Sequence, residues 1–506
     1  MKERWFNYRP IFLVCSFLLL GSVFAFYIID NLLLTSIIAI IVFAMFLVIA
    51  ILKKKIKYVF LPLIAFIIGC LSFYLAVYNF QSTEVNNTPE TIQVRICNIS
   101  NEYNGTMIVE ADNCLLDGEK SDGNLILYIK DVTGLFNKIE VGSVVEFKPY
   151  SFYKTNLLKY NTPNSNFYSK NLKYTVSAYA HNISFVGKDK TLAENFRDTI
   201  KENLDIGLTN ENAEIAYSAL FGDKDILSDK QYAAYKLAGV AHLLAVSGLH
   251  VGIIVGILNF IFNLFKTNKW LKFVIMAVFL AIYAYLCGFA ISIIRASVMA
   301  LILLLAKNLG RQYDPLNSIG IAGVVIFIIN PLCVFDVGFL LSFSCVLGIT
   351  IFYSTFKTIL IKTKMNEKLA EAIAISLATS LTIIIIMACF FKTLNVISLV
   401  ANVVLIPMFT VGFTFIFVMS LISLIIPPLS YLMYPANYVF DFINISANIL
   451  GNLPTSNFET INITFVAILV YFVLLLFISR FCTSKKSHKI LASLPIFIVL
   501  VLCLIL

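Results

Sequence analysis

The stretch Ala241-His242-Leu-Leu-Ala-Val-Ser247-Gly248-Leu-His250-Val-Gly252 places a serine and two of the chain's four histidines in an otherwise apolar run. Residues of these types support more than one chemistry. Ser247 and His250, three apart on a helix face, can pair as nucleophile and base, although no third orienting group stands nearby. His242 and His250 can share a metal only poorly, because two turns of helix exceed the i, i+4 spacing of helical ligand pairs. Polar groups deep in a membrane usually line an interior pathway, and on one regular helix His250 would lie ~12 Å deeper than His242. The plain alternative is structural, with each imidazole bonded to a neighbouring backbone. Arg295, Asp336, Ser342, Asn402 and Pro407 add polar or helix-breaking character to later apolar runs. Arg295 reads either as a cation that follows phosphates or as the buried ion-pair partner of Asp336.

A second constellation is basic and aromatic. Between Lys148 and Lys190 stand Lys148, Lys154, Lys159, Lys170, Lys173, Lys188 and Lys190 against one acid, Asp189. Tyr150, Phe152, Tyr153, Tyr160, Phe167, Tyr168 and Tyr174 are interleaved. Lysines for phosphates and ring faces for bases is the pairing single-strand binders use. A solvated basic loop with its rings packed inward is the equally simple reading. Lys148, Tyr153, Lys154, Lys159, Tyr160, Lys170 and Lys173 are the candidate contacts.

The elements that must carry these residues follow from composition. Of 506 residues, 59% are hydrophobic and 13% charged. Soluble domains run at about 45–50% and 25%, so the chain reads as a polytopic α-helical membrane protein. The formal charge of +9 is modest for this length. Apolar spans at about 10–29, 32–52 and 57–78 give three N-terminal transmembrane helices within 1–80. Residues 81–190 are β-rich, with turns at Asn104-Gly105, Asp117-Gly118 and Asp122-Gly123, and suggest a small antiparallel barrel of five strands. Residues 191–236 read as a helical connector and 237–506 as a second membrane domain, for about eleven to thirteen membrane segments in all. Within it, 396–426 is expected as two short half-helices, and 429–458 as an amphipathic helix lying on the outer surface.

Basic clusters at Lys53–Lys57, Lys266–Lys272, Lys307/Arg311, Lys357–Lys368 and Arg480–Lys489 fall on one side if 81–236 lies outside. The N-terminus is then cytoplasmic and the C-terminus extracytoplasmic. His242, Ser247, His250, Arg295 and Asp336 share the outer halves of their helices, as the vestibule of a hydrophilic pore would need. Cys97 and Cys114, in an oxidising exterior, could close a disulfide.

The run from His242 to His250 resembles the signature of ComEC-type DNA-internalisation channels of bacterial competence. Further motifs follow in that family's order: Leu220-Phe-Gly222-Asp223, Ala238-Gly239, Arg295-Ala-Ser-Val-Met299, Tyr313-Asp314-Pro315-Leu316, Asn330-Pro331, Asp336-Val-Gly-Phe339-Leu-Leu-Ser342, Asn402 and Pro407. Leu340 departs from a common glutamine, and Asn161 to Tyr168 follows a Pro-Gly-x-Phe-Asp-Tyr pattern only loosely. The resemblance implies an OB-like external module and a channel that carries single-stranded DNA into the cytoplasm during natural transformation. It makes Gly248 a motif residue beside the polar groups above.

The 506 residues hold no His-x-His-x-Asp-His motif and no GxxxxGK[ST] loop. The resemblance therefore implies a separate nuclease, a cytoplasmic helicase or ATPase and a membrane DNA receptor, besides membrane lipids and a homodimeric assembly. No cofactor and no enzymatic activity are expected. The rival readings are an intramembrane serine hydrolase using Ser247 and His250, and a small-molecule or lipid exporter.

Overall fold

The computed structural model describes residues 9–30, 57–81, 88–103, 106–130, 139–158, 163–395, 397–453, 457–459 and 465–478. The expected span at 32–52, the Asn104-Gly105 turn, Lys159, Tyr160 and everything after 478 lie outside them. The chain forms two compact units, one of 13–199 with 323–336, the other of 1–12, 200–322 and 337–506.

The first unit opens with α1 (Pro10–Asp30) and α2 (Lys57–Gln81). They touch at glycines: a Cβ on Gly21 would strike the Phe66 carbonyl, and one on Gly69 the Leu18 carbonyl. Close approach through small residues is how helices associate where lipid removes the hydrophobic driving force.

Eight strands follow: β1 (Ile92–Tyr103), β2 (Thr106–Leu116), β3 (Glu119–Lys120), β4 (Asn124–Lys130), β5 (Ser143–Phe147), β6 (Ser151–Lys154), β7 (Leu172–Tyr179) and β8 (Ile183–Lys188). A short helix α3 (Ser165–Ser169) precedes β7. Period-2 alternation turns Leu125, Leu127 and Ile129 of β4 and Tyr174, Val176 and Ala178 of β7 into one core with Ile92, Val94 and Ile96. Asp117 and Gly118, both at positive φ (50° and 84°), make the tight turn into β3.

The described residues do not show the expected closed antiparallel barrel. The sheet runs β6-β7-β4-β2-β1-β5-β8 with β3 beside β2, and β4 pairs with β7 in parallel. Among the described residues its two ends do not pair. Alternation fixes which side chains face the core but leaves open which strand lies beside which.

Arg95 ties β1 to the start of α4 (Leu192–Gly207). Its Nη2 meets Asp112 at 2.5 Å and its Nη1 meets Glu194 at 2.9 Å. Burial opposes the charge, but the two carboxylates outweigh it and hold the guanidinium firmly protonated.

The second unit is helical: α5 (Asn210–Phe221), α6 (Asp229–Leu237), α7 (Gly248–Leu264), α8 (Lys269–Leu286), α9 (Ile291–Asn308), α10 (Pro315–Ile329, whose end passes into the first unit), α11 (Val337–Lys362), α12 (Glu367–Phe391), α13 (Ser398–Ser423), α14 (Ala436–Gly451) and α15 (Phe465–Ile478). Strands β9 (Thr393–Asn395) and β10 (Asn457–Glu459) pair antiparallel. Seven described helices are long and apolar enough to cross a membrane, namely α1, α2, α8, α9, α11, α12 and α13; α7 and α10 are apolar but shorter. The protein is a membrane protein.

One local expectation is corrected and a second is given its packing. Residues 398–423 form one helix through Pro407, not two halves. Leu405, Phe409, Phe413, Ile416 and Phe417 stay buried along it, so packing outweighs the one amide that proline removes. The 429–458 segment begins as a 3₁₀ turn, Pro427–Met433, and continues as the amphipathic helix α14. Asn212 Nδ2 donates to Asn437 Oδ1 (3.0 Å) and Asp441 Oδ1 (2.8 Å), and Tyr235 O–H donates to Asn444 Oδ1 (2.6 Å). The polar stripe therefore grips α5 and α6, while Tyr438, Phe442, Ile445 and Ile449 are exposed.

Candidate functional site

The His242–His250 signature is not one helix. Ala241–Leu243 is a single 3₁₀ turn, and α7 starts only at Gly248. Ser247 is its N-cap in extended conformation, and His250 stands in the first turn rather than two turns down a span. Ser247 N–H donates to His250 Nδ1 at 3.0 Å, and Ser247 Oγ lies 2.9 Å from the same nitrogen. With Nδ1 accepting, the ring proton resides on Nε2. Histidine thus fills the role that Glu or Gln takes in a capping box. The ring is fully buried, edge-on to Phe409 (5.3 Å) and Phe413 (4.6 Å) of α13. Among the described residues no carboxylate orients His250, so the pair has the geometry of a helix cap and lacks a triad's third member.

The loop before α7 is held from two sides. Ser218 Oγ of α5 donates to the Leu244 carbonyl (2.9 Å) and Ser292 Oγ of α9 to the Val246 carbonyl (2.6 Å). Gly239, at φ 74°, packs on Ser398 and Asn395, and Asn395 Nδ2 donates to the Leu237 carbonyl (2.5 Å). His242 is exposed at this loop although protein crowds it. Asn402 follows one turn into α13, its buried Oδ1 without a hydrogen-bond partner.

Arg295, 5% exposed, completes the cluster. Its Nε donates to Ser342 Oγ of α11 at 2.8 Å, its Nη1 to Met299 Sδ at 3.9 Å, and its Cζ lies 6.0 Å from the Phe343 ring centre. The expected partner Asp336 ends the 3₁₀ turn Cys333–Phe335 in the first unit. Among the described residues Arg295 has no carboxylate partner. The structure thus joins Ser247, Gly248, His250, Arg295 and Ser342 directly, with His242 and Asn402 on neighbouring segments. Pro407 lies inside α13.

The candidate DNA contacts of the sheet divide. Lys170 is neutralised by Glu110 at 2.6 Å, and Lys154 Nζ donates to the Gln81 carbonyl. Lys173 covers Gly123, while Lys148 and Tyr153 are exposed, Tyr153 at 65%. Sequence reasoning passed over a better-ordered group on the outer face of β4 and β7. Tyr150 meets Tyr179 edge-on at 5.1 Å, Tyr179 stacks on His181 at 5.5 Å, and Lys130 Nζ lies 5.2 Å above the Tyr150 ring. The available signal was the outward phase of Lys130 and Tyr179, opposite each other in the β4–β7 register.

The expected Cys97–Cys114 disulfide is absent, and both are free thiols. Residues 96 and 98 of β1 face 111 and 110 of β2, whereas Cys114 lies further along towards the partner of Gln93. Cys97 Sγ instead donates to the Glu110 carbonyl at 3.2 Å.

A family model described as "Competence protein" matches residues 219–484, more than half of the chain and all of the cluster around α7. The chain belongs to the Competence protein family. Among relatives, "ComE operon protein 3" of Bacillus subtilis is 28% identical over 203 residues, 40% of this chain and 25% of that protein. "Recombination protein 2" of Haemophilus influenzae is 29% identical over 154 residues, 29% of this chain and 19% of that protein. An uncharacterised Mycoplasma pneumoniae protein is 27% identical over 128 residues, 25% of this chain and 32% of its own. The matches thus span a third or less of each relative. No solved structure matches the chain.

Proposed function

We propose that this Competence-family protein is a channel of the bacterial cell membrane that takes up single-stranded DNA into the cytoplasm during natural transformation. The observation that carries the reading is that the family match at 219–484 encloses the polar cluster of His242, Ser247, His250, Arg295, Ser342 and Asn402 within an apolar helical unit. Polar groups such as the buried His250 and Arg295 inside a membrane bundle mark transport pathways. In this reading the aromatic and basic face of the sheet lies outside the cell and receives the strand. The N-terminus is cytoplasmic, the C-terminus is outside, and the protein is not an enzyme. A receptor, an ATPase or helicase and a nuclease are separate partners.

The test is binding of labelled single- and double-stranded oligonucleotides to the full chain in lipid nanodiscs across a salt series. A salt-dependent preference for the single strand supports the reading. Absence of binding at low salt overturns it and favours the exporter alternative.

A further inference from the structure

Three helices begin around Arg295. Gly248 is the first residue of α7, Arg295 the fifth of α9 and Ser342 the sixth of α11. A Cβ on Gly248 would lie 2.9 Å from Arg295 Nη2, so the guanidinium rests against the opening turn of α7. Ser342 Oγ holds Nε at 2.8 Å from the second turn of α11. A helix start carries N–H groups without intrahelical partners and about half a positive charge, and in α7 Ser247 Oγ takes up one of them, from Leu249. A guanidinium, 5% exposed, is therefore lodged where helix dipoles already disfavour a cation.

Nothing anionic compensates it among the described residues. Its bonded and ring neighbours are a hydroxyl, a thioether and the Phe343 ring, with the Cys345 thiol and the Tyr313 phenol nearby, and among the described residues Nη2 makes no hydrogen bond. A buried cation without a counter-ion is costly, and breaking such a pair from one side costs several kcal/mol. An anion that visits the site would offset that cost. Arg and helix N-termini together are the groups that recognise tetrahedral oxyanions.

We infer that Arg295 Nη2 and the converging starts of α7, α9 and α11 form a binding station for a phosphodiester anion. That the anion belongs to a passing DNA strand rests on the proposed function; that the station takes a phosphodiester does not. Gly248 is required because any side chain there displaces the guanidinium. A single station of fixed charge would hold the strand weakly enough to release it, as conduction needs.

The test places a thiol at Ala245, half-buried in the loop three residues before Gly248. Full-length Ala245→Cys in phosphatidylcholine nanodiscs is treated with sulfonatoethyl or trimethylammonioethyl methanethiosulfonate, with unmodified protein as background. The expected result is a rate ratio favouring the anionic reagent about 10-fold over that of free cysteine, lost in Arg295→Gln and kept in Arg295→Lys. The same ratio in parent and Arg295→Gln overturns the inference. If Arg295→Gln does not fold, Gly248→Ala carries the comparison: a lowered ratio supports the inference and the parent's ratio overturns it.

A second arm measures protection of the thiol. Oligothymidylate should protect and its uncharged methylphosphonate analogue should not. Protection by phosphatidylglycerol in the disc, with none by oligothymidylate, would replace the strand with a lipid phosphate and overturn the strand as occupant. An oligonucleotide that binds nowhere on the chain sinks the DNA reading while the reagent ratio stands, so the two failures differ.

Discussion

Gly248 and Arg295 are in direct apposition: the first residue of α7 leaves the space that Arg295 Nη2 fills, 2.9 Å from where a Cβ would stand. The contact is with the far end of a flexible side chain, so Gly248→Ala should move the guanidinium rather than unfold the bundle. The expected outcome is a melting temperature in detergent within about 2 °C of the parent, since the end of a long side chain can yield by a few tenths of an ångström. Affinity for oligothymidylate should fall several-fold. Equal affinity would show that Arg295 does not contact the strand.

The outer-face aromatics make a separate claim. Base stacking on a ring contributes roughly 1–3 kcal/mol. Tyr150→Ala with Tyr179→Ala should therefore weaken single-strand binding by the full chain at least 10-fold. Lys170→Gln should change it less than 2-fold, because Glu110 already neutralises that lysine at 2.6 Å. Reversal of the two effects in a nanodisc binding assay would move the contact to the β2–α3 side.

Ser247 separates the channel from the hydrolase. A capping serine replaced by alanine costs about 1 kcal/mol, so Ser247→Ala should lower thermal stability slightly. A fluorophosphonate should label neither parent nor variant. Labelling of the parent that disappears in Ser247→Ala would make the serine a nucleophile.

Burial pushes Cys97 and Cys114 up to about 12 from an ordinary value near 9. Thiols whose folded pKa exceeds the unfolded value contribute stability that is intact below pH 9 and lost as pH rises towards 12. Both should alkylate slowly at pH 8 in the folded protein and at ordinary rates in denaturant. Reducing agent should leave the melting temperature of this domain unchanged.

Gly348 of α11 is a close helix contact to probe, since a Cβ there would strike the Ala378 carbonyl and lie 2.5 Å from Thr382 Oγ1 of α12. Backbone cannot yield as a side chain does. Gly348→Ala should destabilise the bundle by about 1–3 kcal/mol in a denaturation series. A neutral effect would mean that α11 and α12 slide freely.

Several of these features were legible in sequence, and the misses have physical causes. Apolar length identifies α8, α9 and α11–α13, because partition into lipid depends on composition alone. The same measure cannot find where a helix starts: it fused His242 and His250 into one span, although Ser247 three residues before His250 has the spacing of a cap. Arg295 stood out as a lone charge and Gly248 and Ser342 as motif residues, but nothing local marks that the three meet from different helices. The grip of Asn212 on Asn437 joins residues 225 positions apart, beyond any periodicity. In the sheet, alternation found the core residues of β4 and β7 but not their parallel pairing, which is what sets Lys130 opposite Tyr179.

Pro407 lies within α13 between Asn402 and Phe409. It supplies no amide to the Val403 carbonyl, so the turn bearing Asn402 is joined to the rest by one hydrogen bond fewer than an ordinary helix has. Beyond it, Phe409 and Phe413 are clamped by the His250 ring. Any flexing of α13 is thus concentrated at a single pivot, swinging the end that abuts Gly239 while the end against α7 stays still.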